Sequence, residues 1–352
     1  MNPTLRNWLE LTRISNLPTV LSSSLVGTFM VTPLIWDPTM LFGTVLTVVI
    51  AIACFYVGGF VMNDVFDIEI DRAERPGRPL PSGRISLPSA ARFGMLLLCS
   101  GMVLLVISEL VSANSGRSSD GFSIRFPFGW IAGGLLVALV LLYDRFHDRN
   151  PWWVFAMAGC RALVYVTCLL VVSDQLIGAD SQPLFMMYVG WPNIISLPVV
   201  PFILAMFVYV AGFSRLARGE VASEGGQGGR FLRYACLAST FLPVAVLLAV
   251  KLLGGVSAVM KNRGGVFDSS QLQSDLLVNI VSCGAAALWF LLAARSYCVN
   301  PGSPRKPIQM WIAGIALLDG LYLFLYGQWM ISLACFLLFL FTILGHRRIK
   351  GT

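Results

Sequence analysis

The stretch NDVFDIEIDRAERPGRPLPSG, residues 63–83, follows directly on a long apolar run and sets five acids and three arginines close together. Asn63, Asp67 and Asp71 recur at i, i+4 and i+8, and Asp64 stands seven residues before Asp71. On a helix those spacings align side chains along one face. Carboxylates so aligned repel one another, and at the end of an apolar segment they are costly unless something cationic neutralises them. A second pair, Glu220 and Glu224, lies four apart in RLARGEVASEGG. Two oxygen-rich clusters facing each other across one cavity suit Mg²⁺, which takes oxygen ligands, dehydrates reluctantly and shares them with substrate phosphates. Arg72, Arg75 and Arg78 follow the first cluster, while Arg215 and Arg218 precede the second. Guanidinium groups there would meet phosphate oxygens. Acids for a metal beside arginines for phosphate point to a ligand bound as a magnesium diphosphate.

The elements that must position these groups are membrane spans. Of the 352 residues 57% are hydrophobic and 12% charged, against about a quarter charged in a soluble domain. A hydrocarbon core about 30 Å thick takes about 20 helical residues to cross. Apolar segments near that length lie at 14–33, 39–62, 91–112, 127–145, 151–173, 194–214, 231–253, 275–297, 308–326 and 328–345. The fold expected is all-α, a polytopic transmembrane bundle of nine to ten spans forming one domain over residues 1–352. Only YGQW separates the last two segments, which leaves open that one of them is a re-entrant or broken helix. The first segment lacks a small-residue cleavage site, so no cleavable signal peptide is expected. With ten crossings, the amino terminus, the loops after segments 2, 4, 6 and 8 and the carboxyl terminus share one side, which holds about nineteen of the 25 Lys and Arg residues. The positive-inside bias makes that side cytoplasmic, with both acidic clusters on it, in a multi-pass protein of the cell inner (plasma) membrane.

The formal charge of +7 is met by basic loops against anionic membrane lipid and calls for no nucleic acid. GEVASEGGQGGR is glycine-rich but lacks the Lys-Ser/Thr ending of a phosphate-cradling loop. The eight cysteines are scattered singly and read as small core hydrophobes. In a bundle this apolar, the rest of a diphosphate ligand is a hydrocarbon.

NDVFDIEID matches the N-D-x-x-D-x-x-x-D motif of the UbiA superfamily of intramembrane prenyltransferases, and RPGRPLPSG resembles the stretch that follows it in many members. RISNLPT at the first span is similar to the family's Arg-and-Asn entry, and Tyr143 ends the fourth span as a similar tyrosine does. The resemblance implies Mg²⁺-dependent transfer of a prenyl group from an allylic isoprenoid diphosphate to an aromatic or other lipophilic acceptor. It implies metal binding by Asn63 and Asp67, supported by Asp64 and Asp71, and catalytic roles for Asp67, Asp71, Glu220 and Glu224. Arg13, Asn16, Arg72, Arg78, Tyr143, Arg145, Arg149, Arg161 and Arg218 are the groups expected on the diphosphate. Two departures stand out. The second motif, normally D-x-x-x-D, keeps its spacing with Glu220 and Glu224, which still offer carboxylates to a metal. Where the family often has a lysine four residues after Tyr143, this chain has His147, with Arg145 and Arg149 alongside.

Blander readings compete at several positions. His147 also reads as an interfacial residue and His346 as a tail residue, and single arginines at span ends also serve as topology signals. Arg161, inside the fifth span, is costly unless it faces an acid or a phosphate. The alternative function is a membrane transporter or carrier of a lipid-like or isoprenoid metabolite, which would carry charges at the midplane on interrupted helices. The acids here sit at span ends, which favours the enzyme.

Overall fold

The computed structural model describes residues 3–30, 38–115, 128–147, 150–176, 199–218, 227–261, 269–299 and 305–348. All regular structure in them is helical: α1 (Pro3–Leu11), a 3-10 turn (Ile14–Asn16), α2 (Leu17–Phe29), α3 (Pro38–Phe66), α4 (Ile68–Glu74), α5 (Leu87–Ser115), α6 (Phe128–Phe146), α7 (Trp153–Leu176), α8 (Val199–Ala217), α9 (Gln227–Ser239), α10 (Leu242–Lys261), α11 (Ser269–Val299), α12 (Arg305–Leu325) and α13 (Trp329–Arg348).

Among the described residues eight helices are long and apolar enough to cross a membrane, or nine if α9 and α10 count as one bent span. The bend falls within the expected segment 231–253. Pro243 cannot donate its backbone N–H and disfavours helical geometry in the residue before it, and α9 and α10 meet at 49°. YGQW, where a break was one of the alternatives, is an ordinary helix end. Gly327 takes φ +77°, the Gln328 N–H bonds to the Leu323 carbonyl at 2.9 Å, and α13 starts afresh.

The first expected segment holds α2, whose 13 residues extend about 20 Å. It runs inside the bundle against α3, α7, α12 and α13. Thr19, Ser22, Ser23, Ser24 and Thr28 are fully buried along it. Small side chains let α2 approach its neighbours closely: a Cβ on Gly27 would lie 2.8 Å from the Tyr165 carbonyl of α7. Leu277, Val281, Leu288 and Leu292 leave a stripe of α11 exposed, as suits a face turned to lipid. All eight cysteines are free.

Polar contacts gather the helix ends on which the site depends. His147 beyond α6 approaches Asp67 beyond α3, Nε2 to Oδ2 3.7 Å. Arg218 beyond α8 reaches the Asn150 carbonyl before α7 at 3.4 Å. Arg13 meets Asp64 of α3 at 2.9 Å, and His346 of α13 meets Asn16 before α2 at 2.6 Å. These ends therefore lie together at one end of the bundle.

Candidate functional site

The helix of the first acidic cluster breaks at Asp67, between α3 and α4. Its hydrogen-bond ladder runs on through the break, Asp67 N–H to the Asn63 carbonyl at 2.9 Å and Asp71 N–H to the Asp67 carbonyl at 2.8 Å. The expected i, i+4, i+8 stack divides in two. Asn63 Nδ2 donates to Asp67 Oδ2 at 3.0 Å. Asp64 and Asp71, 5% and 3% exposed, share Arg78 instead, which donates to Asp71 Oδ2 at 2.6 Å and lies 3.5 Å from Asp64 Oδ1. Arg75 stands 3.9 Å from Asp71. Arg13 completes the clasp on Asp64 from the turn after α1, with its guanidinium 4.8 Å from the centre of the Phe60 ring. Its backbone sits at φ 45°, a left-handed conformation uncommon for residues other than glycine, so the chain accepts local strain where it presents this side chain. Like-charge repulsion along the motif is thus relieved by guanidinium groups on one side.

On the other side opens a cavity of about 230 Å³. Arg13, Asn16, Asn63, Tyr143, Asp144 and Arg161 supply its polar wall, and residues such as Val20, Ile52, Phe55, Val164, Phe213 and Ile315 supply the apolar remainder. Asp67 is not among the lining residues, but it accepts from Asn63, which is. Arg161 is anchored on α2, donating to the Thr19 carbonyl at 3.0 Å and to Ser23 Oγ at 3.3 Å. Among the described residues no group of three or more His, Cys, Asp and Glu side chains is placed to hold a metal ion.

Other expected site residues are placed differently. Arg72 is exposed and pairs with Glu69 within α4 at 2.7 Å; a neighbouring acid on its own helix takes up its charge, and it does not line the cavity. Arg145 is exposed on α6 and does not line it either. Arg78 is held by the two buried aspartates. Arg215 stacks over Trp152 at 5.8 Å, and Arg218 donates to the Asn150 carbonyl at 3.4 Å. Arg149, Glu220 and Glu224 lie outside the described residues.

Three groups carry chemistry that sequence reading missed. Asp144 lines the cavity beside Tyr143; it hid in a charged run where neighbouring arginines drew attention. Asp319 is fully buried in α12 and accepts from Ser22 at 2.6 Å, Ser23 at 3.0 Å and Tyr165 at 2.7 Å. A lone acid inside an apolar span was the available signal. His346, expected in the tail, belongs to α13 and reaches Asn16.

A model of the UbiA prenyltransferase family matches residues 20–261. Digeranylgeranylglyceryl phosphate synthase of Sulfolobus acidocaldarius is 36% identical over 137 residues, 39% of this chain and 41% of that protein. The synthase of the same name from Methanocaldococcus jannaschii is 40% identical over 167 residues, 45% of this chain and 58% of that protein. The chain thus spans about half the length of these curated relatives. The apo structure of a UbiA homolog from Aeropyrum pernix K1 shares the fold, with TM-score 0.58 at 16% identity over 89% of this chain and 99% of that one.

Proposed function

Because the chain belongs to the UbiA prenyltransferase family, we propose that it moves a prenyl group from an allylic isoprenoid diphosphate, taken up as its Mg²⁺ complex, onto a lipophilic acceptor within the bilayer. The observation that carries this reading is one cavity with Asn63, Arg13 and Asn16 at its polar end and an apolar, aromatic wall beyond. Such a gradient fits a molecule that is diphosphate at one end and hydrocarbon at the other. Asn63 and Asp67 offer hard oxygen donors, and Mg²⁺ is commonly held by one or two carboxylates together with substrate phosphates. The residues present therefore fit the ion, and Glu220 and Glu224 are the further carboxylates assigned to it by their spacing in the sequence. Bound there, Mg²⁺ would neutralise charge developing on the departing diphosphate.

Arg13, Asn16, Tyr143, Arg161 and Arg218 are the donors assigned to diphosphate oxygens. Asp64, Asp71 and Arg78 hold the end of α3 so that Asn63 and Asp67 keep their place. Phe55, Tyr56, Phe60 and Phe213 present aromatic groups along the cavity, suited to shielding a carbocation. The names of the relatives support an acceptor of the glyceryl phosphate class, a lipid alcohol carrying an anionic head group. The excess of basic residues at the motif end supports a cytoplasmic site.

The test is binding of geranylgeranyl diphosphate to purified protein with and without magnesium. Asp67→Ala should weaken magnesium-dependent binding about tenfold or more, the loss of a charge-assisted contact of about 1.5–3 kcal/mol. Binding as tight as wild type with magnesium present would refute the metal assignment.

A further inference from the structure

Asp144 is a buried acid that neither the clasp nor the diphosphate assignment uses. It lies in the last turn of α6, is 5% exposed and belongs to the helix stripe Leu136, Val140, Tyr143 and Asp144 that lines the cavity. That i, i+4, i+7, i+8 spacing puts it on the cavity-facing side of α6. Its Oδ2 has no hydrogen-bond partner among the described residues, although buried polar atoms are nearly always satisfied. Among the described residues the charged groups that act on it are Asp67, Arg13 and Asp64. The cation among them is already engaged, Arg13 donating to Asp64 at 2.9 Å. A carboxylate oxygen in this position is able to accept from a donor on a ligand in the cavity.

We propose that Asp144 receives the proton of the acceptor substrate, a hydroxyl-bearing lipid whose O–H points at Asp144 Oδ2 while its oxygen faces C1 of the allylic diphosphate. This rests on the prenyl-transfer reading. The allylic C1–O bond breaks and its electron pair leaves with the diphosphate. A lone pair of the acceptor oxygen forms the new C1–O bond, and the hydroxyl proton passes to the Asp144 carboxylate, which returns it to water through the rim. No oxidant or reductant is required. Asp67 is less suited to this task, because its Oδ2 accepts from Asn63 and lies 3.7 Å from His147. Below Asp144, Leu136, Val140 and Val164 make the wall apolar, which favours capture by the lipid alcohol over capture by water.

The test uses the full chain in liposomes with Mg²⁺, geranylgeranyl diphosphate and geranylgeranylglyceryl phosphate as the acceptor probe. Asp144→Asn should lower kcat about 10²–10⁴-fold, the range for removing a positioned base, while affinity for geranylgeranyl diphosphate stays within about twofold. Asp144→Glu, which keeps a carboxylate, should recover at least about tenfold of that loss. Turnover of Asp144→Asn within about threefold of wild type overturns the assignment. So does a parallel loss of diphosphate affinity, which would place Asp144 among the metal ligands, and so does a Glu variant that melts like wild type yet is as inactive as the Asn variant. Wild-type protein that forms no prenylated product overturns the prenyl-transfer reading itself, whereas an active wild type with an equally active Asn variant overturns this assignment alone.

Discussion

Asp319 and Asp144 are both buried carboxylates inside the bundle, and the fold treats them in opposite ways. Asp319 accepts three hydroxyl hydrogen bonds, from Ser22 and Ser23 of α2 and Tyr165 of α7. Ser23 in turn accepts from Arg161 at 3.3 Å, so an acid on α12 and a cation on α7 are joined through one serine of the helix between them. Asp144 has one oxygen without a partner among the described residues and lines the cavity. Within the first motif, Asp64 and Asp71 are clasped by arginines, and Asn63 lines the cavity. Saturated acids hold helices together, and open ones are left for a ligand. The number of partners separates the two kinds, since both are buried and both sit in apolar surroundings.

The sharpest way to break this comparison is to remove Arg78. Among the described residues Asp71 would keep Arg75 at 3.9 Å, and Asp64 would keep Arg13. Leaving buried carboxylates short of a partner costs about 3–5 kcal/mol, so Arg78→Ala should lower the melting temperature in detergent far more than Asp67→Ala does. Equal melting of the two variants would mean that the clasp is not structural. A smaller effect is expected at Asp319. In Asp319→Asn one oxygen remains to accept and an NH₂ group faces hydroxyl donors, at a cost of about 1–3 kcal/mol. Melting should fall while affinity for geranylgeranyl diphosphate holds within about twofold. A loss of affinity with unchanged melting would move Asp319 from the framework to the ligand site.

Much of the architecture was legible because a bilayer imposes it: nearly every apolar segment of span length became a long helix. Pro243 signals the bend between α9 and α10, but the segment as a whole has the length of one span, so length alone does not reveal the break. The motif was legible as a spacing, but its division was not. Periodicity says that Asn63, Asp67 and Asp71 share a face, yet it does not say that Arg78 folds back from the following loop to take Asp64 and Asp71. For the same reason Arg72 and Arg78 looked alike in sequence, while one pairs within α4 at the surface and the other closes the clasp. The hydroxyl nest around Asp319 draws on residues 142 and about 300 positions apart, a convergence that no local pattern encodes.

The smallest expected effect tests whether the polar end of the cavity depends on the last helix. His346 Nε2 donates to Asn16 Oδ1 at 2.6 Å, and Asn16 both opens α2 and lines the cavity. Gly345 permits this approach: a Cβ there would lie 3.3 Å from Ser15. Without His346 the amide of Asn16 loses one fixed partner, a hydrogen bond contributing about 0.5–1.5 kcal/mol. His346→Ala should therefore weaken geranylgeranyl diphosphate binding by no more than about tenfold, with kcat unchanged. His346→Gln still offers an N–H and should restore part of the affinity. If His346→Ala binds like wild type while Asn16→Ala does not, Asn16 is oriented from within α2, and α13 packs against the site without shaping it. If His346→Ala instead loses more affinity than Asp67→Ala, the polar end is organised around Asn16, and the metal assignment at Asn63 and Asp67 loses its priority.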